Sequence, residues 1–336
     1  MVKRLVKYTL GDNMNLEKLA SLSGVSLGTV SKAFSGSKEI SEKTRQKIFN
    51  IAKEQGCFDK YYSIKREVKV IAVICPEAES QYCCAMLSYL EREISKMNAI
   101  MTVSFSKYNE QREMELIAYH SMAKDVDGII IISAQSKVKF NKDIPIVAVN
   151  TKRDLSEVDC VNTAFAYSFS DTVDYLTECG HKKIAFIYDN FSKGKQAIFV
   201  STMQKKNLTV YPEFLFCEKK RFEEAGYSAM EKIYKMEDKP TAIFCAYDNI
   251  ALGAIQTIRM HGDNVPNDFS VVGIDDIPVA SHYNVSLTTI HSNLEQLCSH
   301  AVDLMFKKLD NKFYLLRQKI SLRSELIIRN TVRKIN

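Results

Sequence analysis

The chain has 336 residues, of which 46% are hydrophobic and 26% are charged. This length exceeds one typical domain. No apolar run reaches 18 residues, so the composition predicts a soluble globular protein and excludes a membrane-spanning one. The nine cysteines have no CxxC spacing, so they exclude a disulfide framework or a zinc site and predict mostly buried thiols in a reducing cytoplasm.

Positive charge is concentrated at the N-terminal end. Residues 1 to 69 carry 14 Lys and Arg against 7 Asp and Glu, whereas the rest of the chain is nearly neutral. A phosphate backbone attracts such a segment through counterion release. The charge distribution therefore predicts that the N-terminal end binds nucleic acid.

The segment LEKLASLSGVSLGTVSKAFS, residues 16 to 35, has the pattern of a helix-turn-helix. Leu19 and Ala20 lie on the inner face of a first helix, and Gly24 can adopt the positive φ of a turn. Val30 and Ala33 mark the inner face of a second helix. An ordinary helical hairpin in a core fits the same pattern, but the local positive charge favours DNA binding.

The sequence of the second helix predicts which residues contact DNA. Its N-cap is Ser26, and the leading end of such a helix enters the major groove. Residues on its exposed face reach base edges, and small hydroxyl side chains reach phosphates. The candidate base readers are Leu27, Gly28 and Lys32, and the candidate phosphate contacts are Ser26, Thr29 and Ser31.

A third helix follows, capped by Ser41, with Ile48, Ile51 and Ala52 facing inward. It completes a three-helix headpiece over residues 14 to 57. Met14 precedes the first helix and is the expected start of the working chain. A basic arm in residues 1 to 13 that touches DNA is the alternative.

Residues Leu19 to Gly56 resemble the opening of LacI/GalR family bacterial transcriptional regulators almost without a gap. The resemblance implies that the linker, residues 58 to 67, folds on operator DNA as a hinge helix with an apolar wedge in the minor groove. The linker here is about three residues shorter than usual and lacks the Pro-Asn start and the leucine. Tyr62 and Ile64 are the candidate wedge residues, and a plain basic linker is the alternative.

From Val68 onward, apolar strand-like runs alternate with amphipathic helices. Strands are predicted over residues 68–75, 99–105, 128–133 and 144–149, and again over 183–188, 213–216, 241–245 and 270–274. Runs such as IIIIS indicate strands covered on both faces, as in parallel sheets. The predicted fold is thus an all-α headpiece followed by an α/β domain of two doubly wound lobes with a ligand cleft between them.

Several segments of this domain extend the resemblance, among them GHKKIAFIYD, AYDNIALGA, GIDD, SLTTI and LIIRNT. They look like the family's effector-sensing domain, which is similar in fold to periplasmic sugar-binding proteins. The resemblance implies one domain over residues 68 to 333. It also implies lobes split near residues 160 and 290, with a final crossing at the last strand, near residues 324 to 328.

The resemblance also supplies the candidate effector contacts. Asp248 matches an aspartate that binds sugar hydroxyls in relatives, and capping of the following helix is its alternative role. Asp275 matches a residue at the lip of the cleft. Lys195 stands where relatives carry Arg, and Lys cannot make the same bidentate contact. Relatives often have two aromatic residues near the cleft after the first strand, and this chain has only Tyr82 there. These departures leave open a non-sugar effector, or none.

No catalytic motif is present, and the six histidines have no metal-ligand spacing. The sequence therefore predicts no enzyme, no metal and no cofactor. It predicts a cytoplasmic homodimeric regulator, expected to be a repressor, that binds a pseudopalindromic operator and responds to a small, carbohydrate-related effector. The alternative is a cytosolic solute-binding protein with weakened or non-specific DNA binding, since Gly28 brings no side chain to the bases.

Overall fold

A computed structural model describes residues 15–35, 37, 39–58, 68–122, 126–136, 144–151, 158–281, 286–310 and 317–335. The chain divides into two compact units, Met1–Lys69 and Val70–Asn336. The predicted start at Met14, the segment before it, and the candidate wedge residues Tyr62 and Ile64 lie outside the described residues.

The first unit contains the three predicted helices, α1 (Leu16–Ser23), α2 (Leu27–Phe34) and α3 (Glu42–Glu54). Asn15 caps α1, since its side chain accepts a hydrogen bond from the backbone N–H of Lys18 at 2.8 Å. Gly24 ends α1 with φ of 66°, the left-handed conformation that the turn requires. The predicted helix-turn-helix is confirmed.

A small apolar core holds the headpiece together. Leu19, Val30 and Ile48, one from each helix, are fully buried. The Arg45 guanidinium donates to the carbonyl oxygens of Ala33 at 2.9 Å and Ser37 at 2.6 Å. These bonds fasten α3 to the C-terminal end of α2, and they fix the orientation of α2 against the core.

The second unit contains two six-stranded sheets. The first has the order β11-β5-β4-β3-β1-β2. Its strands are β1 (Lys69–Cys75), β2 (Ala99–Phe105), β3 (Gly128–Ile132), β4 (Ile146–Val149), β5 (Asp159–Ala164) and β11 (Lys319–Arg323). Helices α4 (Gln81–Lys96), α5 (Glu110–Met122) and α10 (Leu294–Asp310) belong to the same lobe. All five residues of β3 are buried, as expected for a strand covered on both faces.

The second sheet has the order β12-β10-β9-β8-β6-β7. Its strands are β6 (Ile184–Asp189), β7 (Leu215–Glu218), β8 (Ala242–Cys245), β9 (Ser270–Asp275), β10 (Thr288–His291) and β12 (Glu325–Ile327). The helices of this lobe are α6 (Phe165–Glu178), α7 (Lys193–Lys205), α8 (Phe222–Tyr234) and α9 (Asp248–Met260). Strands β6 to β10 pair in parallel, and β12 is antiparallel to β10.

The chain passes between the sheets three times: after β5, after β10, and between β11 and β12. The predicted two-lobed, doubly wound architecture is confirmed. Among the residues that the structure describes, no helix has the length and apolar character needed to cross a membrane.

Helices α8 and α9 are in direct backbone contact. A Cβ atom at Gly226 would lie 2.2 Å from the carbonyl oxygen of Ile250, and one at Gly253 would lie 2.1 Å from that of Glu223. No real side chain tolerates such distances. Both positions therefore require glycine because of close packing.

Candidate DNA-binding surface and effector cleft

The predicted DNA-contacting residues form one continuous surface on α2. The hydroxyl of Ser26 accepts from the backbone N–H of Thr29 at 3.1 Å and lies 2.8 Å from the Thr29 hydroxyl, so Ser26 is the N-cap. Leu27 is 45% exposed, and the side chain of Lys32 is 51% exposed. Gly28 and Ser31 are also exposed, and Thr29 is half-buried.

Glu39, which the sequence analysis did not single out, faces this surface. Its carboxylate forms an ion pair with the Lys32 ammonium, and hydrogen bonding and charge from Lys32 lower the pKa of Glu39. Seven positions and a turn separate the two residues, so no helical spacing predicts the pair. Lys32 must exchange Glu39 for DNA before it can contact a base or phosphate.

A cavity of about 410 Å³ lies between the two lobes of the second unit. Parallel sheets bind ligands beyond the carboxyl ends of their strands, and the residues lining this cavity follow those ends. Its walls combine aromatic rings, amides and charged groups. They include Tyr82, Tyr108, Asn150, Asn162, Thr163, Phe165, Phe191, Lys195, Arg221, Phe222, Tyr247 and Asp275.

Lys195 and Asp275, both predicted from the sequence, line the cavity together. The Lys195 ammonium donates to the Ala246 carbonyl oxygen at 2.8 Å and lies 3.4 Å from Oδ1 of Asp275. It also lies over the rings of Tyr247 and Phe165, at 4.7 Å and 5.3 Å from their centres. Burial raises the pKa of Asp275 while Lys195 opposes that rise. The pair thus places a buried carboxylate beside an ammonium that lies over two aromatic rings.

Asp248 lies behind the cavity wall and does not line it. It is fully buried, and its carboxylate accepts hydrogen bonds from the backbone N–H of Ile277, at 2.8 Å, and from the hydroxyl of Thr289. Burial and the nearby charge of Asp275 raise the pKa of Asp248 to about 7. Neither predicted role matches this geometry, because both oxygens serve internal packing and the N-cap position of α9 belongs to Tyr247.

Tyr82, the remaining predicted effector contact, lines the cavity from the first lobe. Its hydroxyl accepts a hydrogen bond from the side-chain amide of Asn150. The carbonyl oxygen of the same amide accepts from the backbone N–H of Thr163 at 2.7 Å. Asn150 therefore fixes the phenol of Tyr82 relative to β5.

The sequence analysis missed an ion pair that joins the lobes. Arg221, which follows β7, donates through Nη1 and Nη2 to the carboxylate of Glu77, which follows β1, at 2.6 Å and 2.9 Å. The Tyr108 hydroxyl donates to the same carboxylate at 3.1 Å, and Asp189 lies 3.6 Å from Nε of Arg221. We call the Glu77–Arg221 contact the interlobe ion pair. Burial raises the pKa of Glu77, but Arg221 outweighs it and the pKa is lowered.

Aromatic rings surround this ion pair. The guanidinium of Arg221 lies 4.8 Å from the ring centre of Phe191 and 4.4 Å from that of Phe222. Tyr108, from the first lobe, packs against Phe191, from the second, with ring centres 4.4 Å apart. The position of Arg221 just after a predicted strand is the one sequence signal that could have marked it. In the part of the chain that the structure describes, no cluster of three or more potential metal ligands occurs.

Comparisons with known proteins cover both units. Residues 15–56 match the family described as bacterial regulatory proteins, lacI family, and residues 173–332 match the periplasmic binding protein-like domain. The chain thus combines a LacI-family helix-turn-helix domain with a periplasmic binding protein-like domain. A regulatory-protein headpiece joined to a periplasmic binding protein-like domain is the domain arrangement of a transcriptional regulator.

Similar proteins span nearly the whole chain. The HTH-type transcriptional repressor PurR of Mannheimia succiniciproducens is 28% identical over 340 residues, which cover 95% of this chain and 99% of the relative. PurR of Actinobacillus pleuropneumoniae is 29% identical, with coverage of 96% and 99%. The lac repressor dimer bound to operator and the anti-inducer ONPF has a TM-score of 0.73 at 20% identity, with coverage of 95% and 99%. The regulator CelR in complex with cellobiose has a TM-score of 0.68 at 20% identity, with coverage of 95% and 100%.

Proposed function

We propose that this protein is a transcriptional repressor that acts in the cytoplasm as a homodimer, and that two headpieces bind a pseudopalindromic operator. The observation that carries the proposal is the exposed face of α2, which displays Ser26, Leu27, Gly28, Ser31 and Lys32 while Val30 lies in the core. A helix of this type enters the major groove, and two-fold symmetry of the operator mirrors two-fold symmetry of the protein.

The residues of α2 divide by role. Lys32 is the long donor of this surface and hydrogen-bonds guanine acceptors once it leaves Glu39. Leu27 offers apolar contact to a thymine methyl group. The hydroxyl of Ser31 and the capped N-terminus formed by Ser26 and Thr29 contact phosphates and set the register of the helix.

The effector that the cleft favours is a small neutral ring compound, with a sugar or sugar derivative as the first candidate. Among the described residues, both cations that line the cavity face a carboxylate, Lys195 facing Asp275 and Arg221 facing Glu77, so these residues offer an ionic ligand no excess of either charge. The rings of Phe165 and Tyr247 suit the flat face of a ring. Asp275, which lines the same cavity, accepts hydrogen bonds from ring hydroxyls.

A planar nitrogen base is the second candidate. Asn150 and Asn162 both line the cavity, and side-chain amides recognise the alternating donors and acceptors along the edge of a base. The relatives named PurR match this chain over nearly their whole length.

A gel shift with the DNA upstream of the protein's own gene tests the DNA-binding proposal. Specific binding that weakens steeply with salt is expected, and its dependence on protein concentration reports the dimer. Binding of equal strength to random DNA would instead favour a solute-binding protein with degraded DNA recognition.

A thermal-shift panel of monosaccharides, disaccharides, nucleobases and nucleosides tests the effector proposal. We expect one class of these compounds to raise the melting temperature of the native chain and to leave that of the Asp275→Asn variant unchanged. A compound that still stabilises this variant fully would place its site elsewhere.

A further inference from the structure

Arg221 lies between two buried carboxylates, one from each lobe. Its Nη1 and Nη2 donate to Glu77 of the first lobe, while its Nε lies 3.6 Å from Oδ2 of Asp189, the last residue of β6 in the second lobe. This separation is too long for a hydrogen bond. Among the residues that the structure describes, neither Nε of Arg221 nor Oδ2 of Asp189 has a hydrogen-bond partner, although both atoms are buried. The guanidinium therefore binds one carboxylate and has an unused donor that faces the other.

Asp189 is held in position to receive this donor. Its Oδ1 accepts hydrogen bonds from the Ser192 hydroxyl at 2.6 Å, from the backbone N–H of Phe191 at 3.0 Å and from the Tyr247 hydroxyl at 3.2 Å. These bonds fix the carboxylate with Oδ2 facing Arg221. Asp189 ends β6, which pairs in parallel with β7, and Arg221 follows β7. The two residues therefore stay together when one lobe moves relative to the other.

Each side of the interlobe ion pair also has other contacts within its own lobe. In the first lobe, the Tyr108 hydroxyl donates to the Glu77 carboxylate at 3.1 Å. In the second lobe, the rings of Phe191 and Phe222 lie 4.8 Å and 4.4 Å from the guanidinium of Arg221. A cation over aromatic rings is attracted by them without a fixed hydrogen-bond direction. Arg221 thus keeps favourable surroundings in its own lobe if Glu77 moves away.

We propose that Arg221 is a two-position latch of the cleft, which binds Glu77 when the lobes are closed and Asp189 when they are open. In the closed form, the two hydrogen bonds to Glu77 hold the lobes together. When the lobes part, a movement of less than about 1 Å brings Nε within hydrogen-bond distance of Oδ2 of Asp189. This exchange compensates the charge of Arg221, which would otherwise lose its partner.

The latch also has a connection to ligand binding, because Arg221 lines the cavity. A ligand that contacts the guanidinium interacts differently with its two positions. Such a ligand shifts the balance between the open and closed forms by the difference in its affinity for them.

The distance between the lobes can be measured with the protein's own thiols. Of the nine cysteines, Cys84 in the first lobe and Cys217 in the second are exposed. Spin labels on these two thiols report the interlobe distance by pulsed electron paramagnetic resonance, in a Cys179→Ser chain because Cys179 is partly exposed. Mixing with an excess of unlabelled chain restricts the measurement to distances within one chain. Neither effector nor DNA is added, so the result does not depend on the proposed function.

Two variants remove one carboxylate each and keep the shape of the side chain. Loss of a hydrogen bond between charged groups changes the ratio of two forms by about tenfold or more. Glu77→Gln should therefore raise the ratio of long to short distances by about tenfold, and Asp189→Asn should lower it. Lys220→Ala is the matched control and should leave the ratio unchanged, because Lys220 adjoins Arg221 but pairs with Glu224 at the surface.

The opposite directions of the two shifts distinguish a latch from a merely structural contact. Whichever form predominates in the native chain, at least one of the two variants must change the distances. Unchanged distances in both variants, or shifts of both in the same direction, would overturn the proposal. Melting curves verify that each variant is folded before it is frozen. If Glu77→Gln does not fold, Glu77→Asp replaces it, since the shorter side chain keeps the charge but weakens the contact and should also favour long distances.

Discussion

The headpiece and the effector cleft present their functional groups in opposite ways. The headpiece displays Ser26 to Lys32 on seven consecutive residues of one helix end, mostly in contact with water. The cleft collects side chains from Tyr82 to Asp275, contributed by loops of both lobes. Most of its charged groups are buried and already have partners.

This difference determines what each region loses on substitution. An exposed side chain contributes little to the free energy of unfolding, so a headpiece variant changes DNA binding and leaves stability intact. A buried, paired charge leaves its partner without compensation when it is removed. Cleft variants therefore change binding and stability together.

The largest effect is expected at the interlobe ion pair. Arg221→Ala leaves the buried carboxylate of Glu77 without its cation and should lower the free energy of unfolding of the second unit by about 2 to 3 kcal/mol. Denaturant unfolding measures this. The adjacent Lys220→Ala is the matched control, because Lys220 pairs with Glu224 at the surface and should contribute less than about 1 kcal/mol. Equal losses in the two variants would contradict a buried, stabilising contact.

Lys32 should give a loss of DNA affinity without a loss of stability. Lys32→Ala removes a donor to base edges and should weaken binding to the specific operator by about 1 to 3 kcal/mol, with an unchanged unfolding curve. Glu39→Gln, which frees Lys32, should strengthen binding. If Lys32→Ala weakens binding to specific and random DNA equally, Lys32 contacts phosphate instead of a base.

The raised pKa of Asp248 should make the stability of the protein depend on pH. Its pKa is raised from the ordinary 3.8 to about 7, so the folded state binds its proton more tightly than the unfolded state. The resulting stabilisation is present at low pH and is lost as pH rises from about 4 to about 7. Asp248→Asn should flatten the melting-temperature profile across this window. Parallel profiles for the two proteins would show that Asp248 titrates normally.

The smallest effect is expected at His291. Its hydrogen bond to Asp276 at 3.0 Å raises its pKa, so its stabilisation is complete below about pH 6.5 and is lost as pH rises through the folded-state value. Because the side chain is 43% exposed, solvent screening limits the effect to less than about 1 kcal/mol. His291→Gln should melt lower than the native chain near about pH 5 and equally near about pH 8.5. If the melting temperatures of the two proteins differ by the same amount at both pH values, His291 stabilises the fold through packing and not through its charge.

The sequence was informative where structure depends on local pattern. Capping serines, the turn glycine and inward-facing residues determine the headpiece within forty residues, and buried apolar runs determine most strands. Strand β5, DCVNTA, was not predicted because polar residues interrupt its apolar run, and it lies in the sheet between β4 and the distant strand β11. The interlobe ion pair joins residues 144 positions apart, and no local pattern encodes such a contact. Asp248 and Tyr247 are neighbours in sequence, and only the backbone direction at the start of α9 decides which of them lines the cleft.

The glycine contact between α8 and α9 has a mechanical consequence. The backbones of α8 and α9 are in contact at Gly226 and Gly253, so sliding or rotation of one helix against the other would cause a steric clash. We therefore expect the two helices to move as one rigid unit. Both begin at the cavity, α8 beside Arg221 and α9 beside Tyr247, and each has 13 residues, a length of about 20 Å. A displacement of the cavity wall at the start of these helices is therefore expected to move both of them together, including the exposed end of α9, where Met260 is 74% accessible to solvent.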